Sequence, residues 1–202
     1  MKQTNPTDII QFIHQMRSGL VVGLITKEEV IEWAESIVTT DKTPDIFFID
    51  LVLLSSKSNN EIINYLGEYL NFDGESFSGR PLFHMLNKRM ESKDILLSKV
   101  INTLYRIANE TKVSDYESYF IYTIENDHSL AIDNITGELT EIDQRLRYFL
   151  RTYKDYTFEN FNNWSSLDKV IDHTYRLEKE TSEINNESIV ENIQRKWWQF
   201  WK

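Results

Sequence analysis

Between Gly23 and Leu54 the chain reads GLITKEEVIEWAESIVTTDKTPDIFFIDLVLL, and no other stretch constrains the fold as much. Thr26, followed three residues on by Glu29, is a capping box. The Thr hydroxyl accepts from the backbone N–H of Glu29, and the Glu carboxylate accepts from that of Thr26. Ile25 and Val30 are placed to close over the turn as a hydrophobic staple. Val30, Trp33, Ile37 and Val38 then share a face at helical spacing, while Glu28, Glu29, Glu32 and Glu35 cover the other. Thr43-Pro44 opens a second helix, with Pro44 in the first helical position, where its missing N–H would be unpaired anyway. Ile46 to Leu54 is apolar except for Asp50, the pattern of a helix buried almost all round. A short buried strand gives the same pattern; the Thr-Pro start favours the helix. Asp50 is the one residue of that run that needs a partner.

The same punctuation recurs along the chain. Asn5-Pro6 caps a first helix with Ile9, Ile10, Ile13 and Met16 inward, and Ser18-Gly19 ends it. Leu20-Val21-Val22 then links it to the Gly23–Leu54 hairpin. Ser58 with Glu61 heads a helix carrying Ile62, Ile63, Leu66, Tyr69 and Leu70. Asn71 to Arg80 is the clearest loop. Pro81 opens a helix with Leu82, Met85, Leu86 and Met90 inward. Ser92 caps a longer one, with Leu96, Val100, Leu104 and Ile107 on one side. Ser114 with Glu117 starts another, on which Tyr116, Phe120, Ile124, Leu130 and Ala131 share a face. A loop at Asn134–Gly137 follows.

Here the competitor is a small β-hairpin around 119–142, because Tyr119 to Ile124 is rich in aromatic and β-branched residues and Asp133 to Gly137 is turn chemistry. Thr140 with Asp143 caps the next helix, with Ile142, Leu146, Phe149, Leu150 and Tyr153 inward. Phe158, Phe161 and Trp164 form an aromatic connection. Ser165 with Asp168 starts a helix carrying Leu167, Val170, Ile171, Thr174 and Tyr175, and Ser188 with Glu191 a last one. The expected fold is all-α: a bundle-like helical domain of about eight to nine helices over 5–184, with a Trp-rich tail or amphipathic helix over 185–202.

Composition agrees and narrows the function. Of 202 residues only 6 are Gly and 3 Pro, and 41% are hydrophobic, so the chain can bury a real core with few helix breakers. There are 32 acidic against 22 basic residues, a net charge of −10. Such a surface repels phosphate and argues against nucleic acid and anionic membrane alike. It attracts a basic partner, or it serves solubility alone. With no cysteine, disulfides, thiolate catalysis and Cys-based zinc sites are excluded. Met1 to Pro6 lacks a signal-peptide core and no stretch is long and apolar enough to span a bilayer, so a cytoplasmic protein is expected.

Motifs for catalysis are missing. No Gly-x-Ser-x-Gly elbow, Walker-type loop or Gly-x-Gly-x-x-Gly occurs, so no catalytic residue, cofactor or metal is assigned. Glu125 and His128 form a Glu-x-x-His pair, half of a di-iron bundle motif, but no second pair accompanies it. Acid pairs such as Asp41/Asp45 and Asp172/Glu178 are expected by chance at this acidity. The one unusual cluster is C-terminal: 3 of the 5 Trp fall within Trp197, Trp198, Phe200 and Trp201, flanked by Arg195, Lys196 and Lys202. It reads as an interfacial anchor, as a docking helix for a partner or second copy, or as aromatics packed onto their own domain.

Gly23-Leu24-Ile25, Glu32-Trp33-Ala34 and Ile49-Asp50-Leu51, with Leu130-Ala131, Gly137, Phe149-Leu150, Tyr153 and Asn160 to Trp164, resemble a loosely defined group of bacterial all-helical proteins. Some of its members are similar to immunity proteins of contact-dependent or polymorphic toxin systems. The resemblance implies a non-enzymatic helical protein that neutralises a partner, often a basic toxin domain. The alternative is a membrane-associated or self-assembling scaffold acting through residues 188–202.

Overall fold

The computed structural model describes residues 4–70, 77–92, 95–133 and 135–177. Among them the fold is all-α, with nine helices and no strand. Eight are α1 (Ile10–Val22), α2 (Lys27–Thr40), α3 (Ile46–Leu53), α4 (Asn59–Tyr69), α5 (Arg80–Glu91), α6 (Leu97–Glu110), α7 (Asp115–Ile132) and α8 (Leu139–Arg151). They lie in a compact unit, Met1–Phe161. A second unit, Asn162–Lys202, carries a helix over 164–177 in which Val170, expected inward, is exposed. Residues 185–202, with Trp197, Trp198, Phe200 and Trp201, lie outside the described residues. None of the described helices is long and apolar enough to cross a membrane.

Capping boxes form among the described residues as the local chemistry dictates. Thr26 with Glu29, Ser58 with Glu61 and Ser114 with Glu117 each exchange both hydrogen bonds. The region 119–142 is helical through Ile132 and then turns through Gly137 at φ +84°, so the hairpin is not formed. Between Asp115 and Ile132 an 18-residue helix buries Ile121 and Ile124 on one side, which a two-stranded hairpin could not do.

Other starts and stops differ from expectation. Gly19 lies inside α1, and Gly23, at φ +80°, ends it. The Gly19 carbonyl accepts from Leu24 N at 2.8 Å and Ile25 N at 3.1 Å. A Cβ on Gly19 would meet Ile25 Cδ1 at 2.4 Å, so this glycine serves close packing and Gly23 the left-handed cap. Arg89 and Arg106 finish the job: Arg89 donates to the Leu24 carbonyl at 2.8 Å, and Arg106 to Val22 at 3.1 Å and to Val21. Pro44 precedes α3, because Asp45 makes the better cap, accepting from Phe47 N at 2.9 Å. Ser92 closes α5, its hydroxyl donating back to the Arg89 carbonyl, and Leu96 is left exposed at the head of α6. Thr140 caps nothing: Asp143 is held by Arg147 at 2.7 Å instead.

Rings join the first three helices. Phe12 of α1 meets Trp33 of α2 at 5.1 Å and Phe158 at 4.9 Å, and Trp33 meets Phe48 of α3 at 5.6 Å. The second focus is polar. Glu117, buried at the start of α7, receives Arg80 Nε at 2.7 Å and the Tyr153 hydroxyl at 2.9 Å on one oxygen, and Ser114 N at 2.6 Å on the other. One carboxylate thus caps α7 and ties it to α5 and to the turn after α8. Nearby, Gly79 N donates to the Lys112 carbonyl at 3.0 Å and Lys112 N to that of Phe77 at 2.9 Å, fixing the approach to α5.

Removing one member of a buried ion pair strands the other. Glu117→Leu is expected to lower the unfolding free energy by about 3–5 kcal/mol, and Arg80→Met/Glu117→Leu to recover a large part of it. Urea titration of both variants measures this. A loss under about 1 kcal/mol in the single variant would contradict the clamp.

Candidate functional site

Glu117 fixes which way α7 faces. With Glu117, Ile121 and Ile124 buried, Asp115, Tyr119, Tyr122 and Asn126 stand together on the opposite, solvent side. Their spacing of i, i+4, i+7 and i+11 follows one helical face. Tyr119 is 71% exposed and Tyr122 67%, and residues three apart are surface neighbours. Two tyrosines so placed present large, stiff, amphipathic contact area on a helix anchored from beneath. Tyr105 of α6, Tyr116 of α7 and, on α8, Tyr148 at 82% are also exposed. Tyr116 lies at the edge of the solvent side, at the outer end of the stripe it shares with Phe120 and Ile124.

Six arginines among the described residues are bound by groups of the fold. Arg80 is buried on Glu117, Arg145 pairs with Asp127 at 2.6 Å, Arg147 with Asp143 at 2.7 Å, and Arg17 with Glu110. Arg89 and Arg106 are directed at carbonyls near the end of α1. These six arginines are held by carboxylates and carbonyls of the fold, while Lys88, Lys99, Lys112, Arg151 and Lys154 stand exposed among the described residues.

Buried polar groups offer the competing location. Along α5, Arg80, His84 and Asn87 are all buried at helical spacing, and Asn87 Nδ2 donates to Glu91 Oε1 at 3.0 Å. Among the described residues no well-formed hydrogen bond reaches either ring nitrogen of His84, although the Tyr153 backbone lies close enough to act on it. Burial lowers its pKa first and Lys88 second, against an opposing pull from the Tyr153 backbone, Glu159 and Glu91. His14 of α1 is buried too, its ring 4.7 Å from Phe77 and its Nδ1 3.5 Å from the Ser18 hydroxyl. Burial, then Arg17, pushes its pKa down to about 4. At Glu117 both oxygens are taken by donors, the environment of a structural anion. Glu125 and His128 lie half-buried on α7, and no group of three or more potential metal ligands occurs among the described residues.

Comparison with protein-family models, curated proteins and solved structures finds no match to this chain. The functional reading therefore rests on geometry. The sequence alone does not single out Tyr119 and Tyr122, because their stretch fits a helix or a hairpin and nothing local says which side of the helix is covered. The signal was the i, i+3 spacing itself, which acquires meaning once α7 is helical.

The buried histidines give the fold a pH dependence. Unfolded, His14 takes a proton near pH 6.5; folded, only near 4. Acid between those values therefore favours the unfolded chain, and the full stability is present above 6.5. The expected loss on going from pH 7 to 4 is on the order of 3 kcal/mol from this residue. His14→Phe, which keeps a ring against Phe77, should flatten that part of the profile in thermal unfolding followed against pH. An unchanged profile would place the proton uptake elsewhere.

Proposed function

We propose that this chain is a non-enzymatic protein-binding protein of the immunity type, which neutralises a basic partner toxin by covering its working surface. The observation that carries the reading is the solvent face of α7, where Tyr119 and Tyr122 stand exposed beside Asp115 in a chain of net charge −10. Tyrosine is enriched among residues that dominate binding energy, because it buries much area and loses little side-chain entropy. Carboxylates around it speed encounter with a cationic surface and disfavour acidic competitors. Occlusion needs a face that keeps its shape, and the Glu117 clamp supports one at the start of the same helix.

The resemblance to immunity proteins supplies the kind of partner, and the net charge of −10 supplies the reason for its basic character. The candidate partner is the product of the gene beside the one that encodes this chain. The purified chain is expected to bind that product and to protect cells that express it. Tyr119→Ala/Tyr122→Ala should weaken binding at least about tenfold, while its thermal unfolding matches the parent's. The association rate should fall steeply with added salt. A parent chain that neither binds nor protects would end the immunity reading, and full affinity in the double variant would move the contact away from α7.

A further inference from the structure

A second face of the molecule is unusual for the opposite reason. Helix α3 is apolar nearly all round, yet only one side of it is covered. Phe47, Phe48 and Leu51 are buried, Phe48 against Trp33, and Phe47 against Tyr65 at 5.5 Å and Tyr69 at 4.3 Å of α4. On the other side Ile46 is 65% exposed, Leu53 is 70% exposed and Ile49 is half-buried between them. These three fall at i, i+3 and i+7, one continuous stripe. A single exposed aliphatic residue needs no explanation; an aligned row on an eight-residue helix does.

Acids frame the row. Asp50 stands within it, one position from Ile49, and Asp45 caps its start. Both carboxylates act on the tyrosines of α4: burial first, then Asp50 and Asp45, holds Tyr65 up to about 12, and burial, then Asp45, raises Tyr69. Asp45 and Asp50 thus place two carboxylates along the same helix as the aliphatic row.

We propose that the outer stripe of α3 is a docking surface for a basic amphipathic helix of another protein. Such a helix presents apolar side chains at the same spacing to Ile46, Ile49 and Leu53, and its lysines or arginines to Asp45 and Asp50. A second copy of this chain is the poorer occupant. A twofold contact centred on the α3 row would bring Asp50 toward its own counterpart, on chains that each carry −10. An anionic bilayer is repelled by the same acids. This surface does not depend on Tyr119 and Tyr122, so it stands or falls apart from the α7 reading.

The probe is a fluorescently labelled synthetic Leu/Lys amphipathic peptide of about four turns, titrated into the full chain at low and high salt. Ile46→Ser/Leu53→Ser is expected to weaken binding by about tenfold or more. Asp45→Asn/Asp50→Asn should weaken it and flatten its salt dependence; Asn preserves the helix cap. Tyr119→Ala/Tyr122→Ala should leave it unchanged. If the serine variant does not fold, Asp50→Asn alone decides through the salt dependence. Equal affinity in the parent and in all α3 variants overturns the proposal. So does a parent that sediments as a dimer and becomes monomeric in the serine variant, or one that binds anionic vesicles through Ile46 and Leu53.

Discussion

The Glu117 carboxylate is the interaction on which the placement of the later helices depends. It caps α7 through Ser114, neutralises Arg80 at the start of α5, and receives the Tyr153 hydroxyl beyond α8. A charge without these donors could not remain buried at low cost. With them, three elements distant in sequence are held in one register. Phe83 of α5 then packs against Phe149 and Tyr153 at 5.6 Å and 5.0 Å, so apolar packing and the polar clamp reinforce each other. The direction of α7's outer face follows, because the residues opposite Glu117 have no place but solvent.

Charge has a similar two-sided logic. Arginines serve the interior and the helix ends: Arg80 in the clamp, Arg89 and Arg106 at the end of α1, Arg145 and Arg147 between and along α7 and α8. Each satisfies carbonyls or carboxylates that would otherwise be unpaired. The chain as a whole carries −10, and the exposed tyrosines of α7 have Asp115 beside them, the aliphatic row of α3 Asp45 and Asp50.

Much of this was legible in the sequence where the physics is local. The capping boxes that form need partners only three residues apart, and their helices appear where Thr26, Ser58 and Ser114 put them. The caps expected at Ser92 and Thr140 do not form because a competing local bond wins, Ser92 to the Arg89 carbonyl and Asp143 with Arg147. Gly19 and Gly23 are equivalent on paper; only the approach of Ile25 tells which packs and which caps. The Arg80–Glu117 pair spans 37 residues and leaves no periodic mark. Helix α3 shows the limit most clearly. An all-round apolar pattern predicts complete burial, but Ile46 and Leu53 are exposed, since periodicity says which residues could be covered and not whether anything covers them.

Amide chemical-shift mapping of the full chain during titration with the product of the adjacent gene tests the central claim most directly. The account predicts saturating perturbations along Asp115–Asn126, strongest at Tyr119 and Tyr122, with the buried face of α7 largely still. Saturable binding that leaves those positions unperturbed and concentrates on another surface would contradict it.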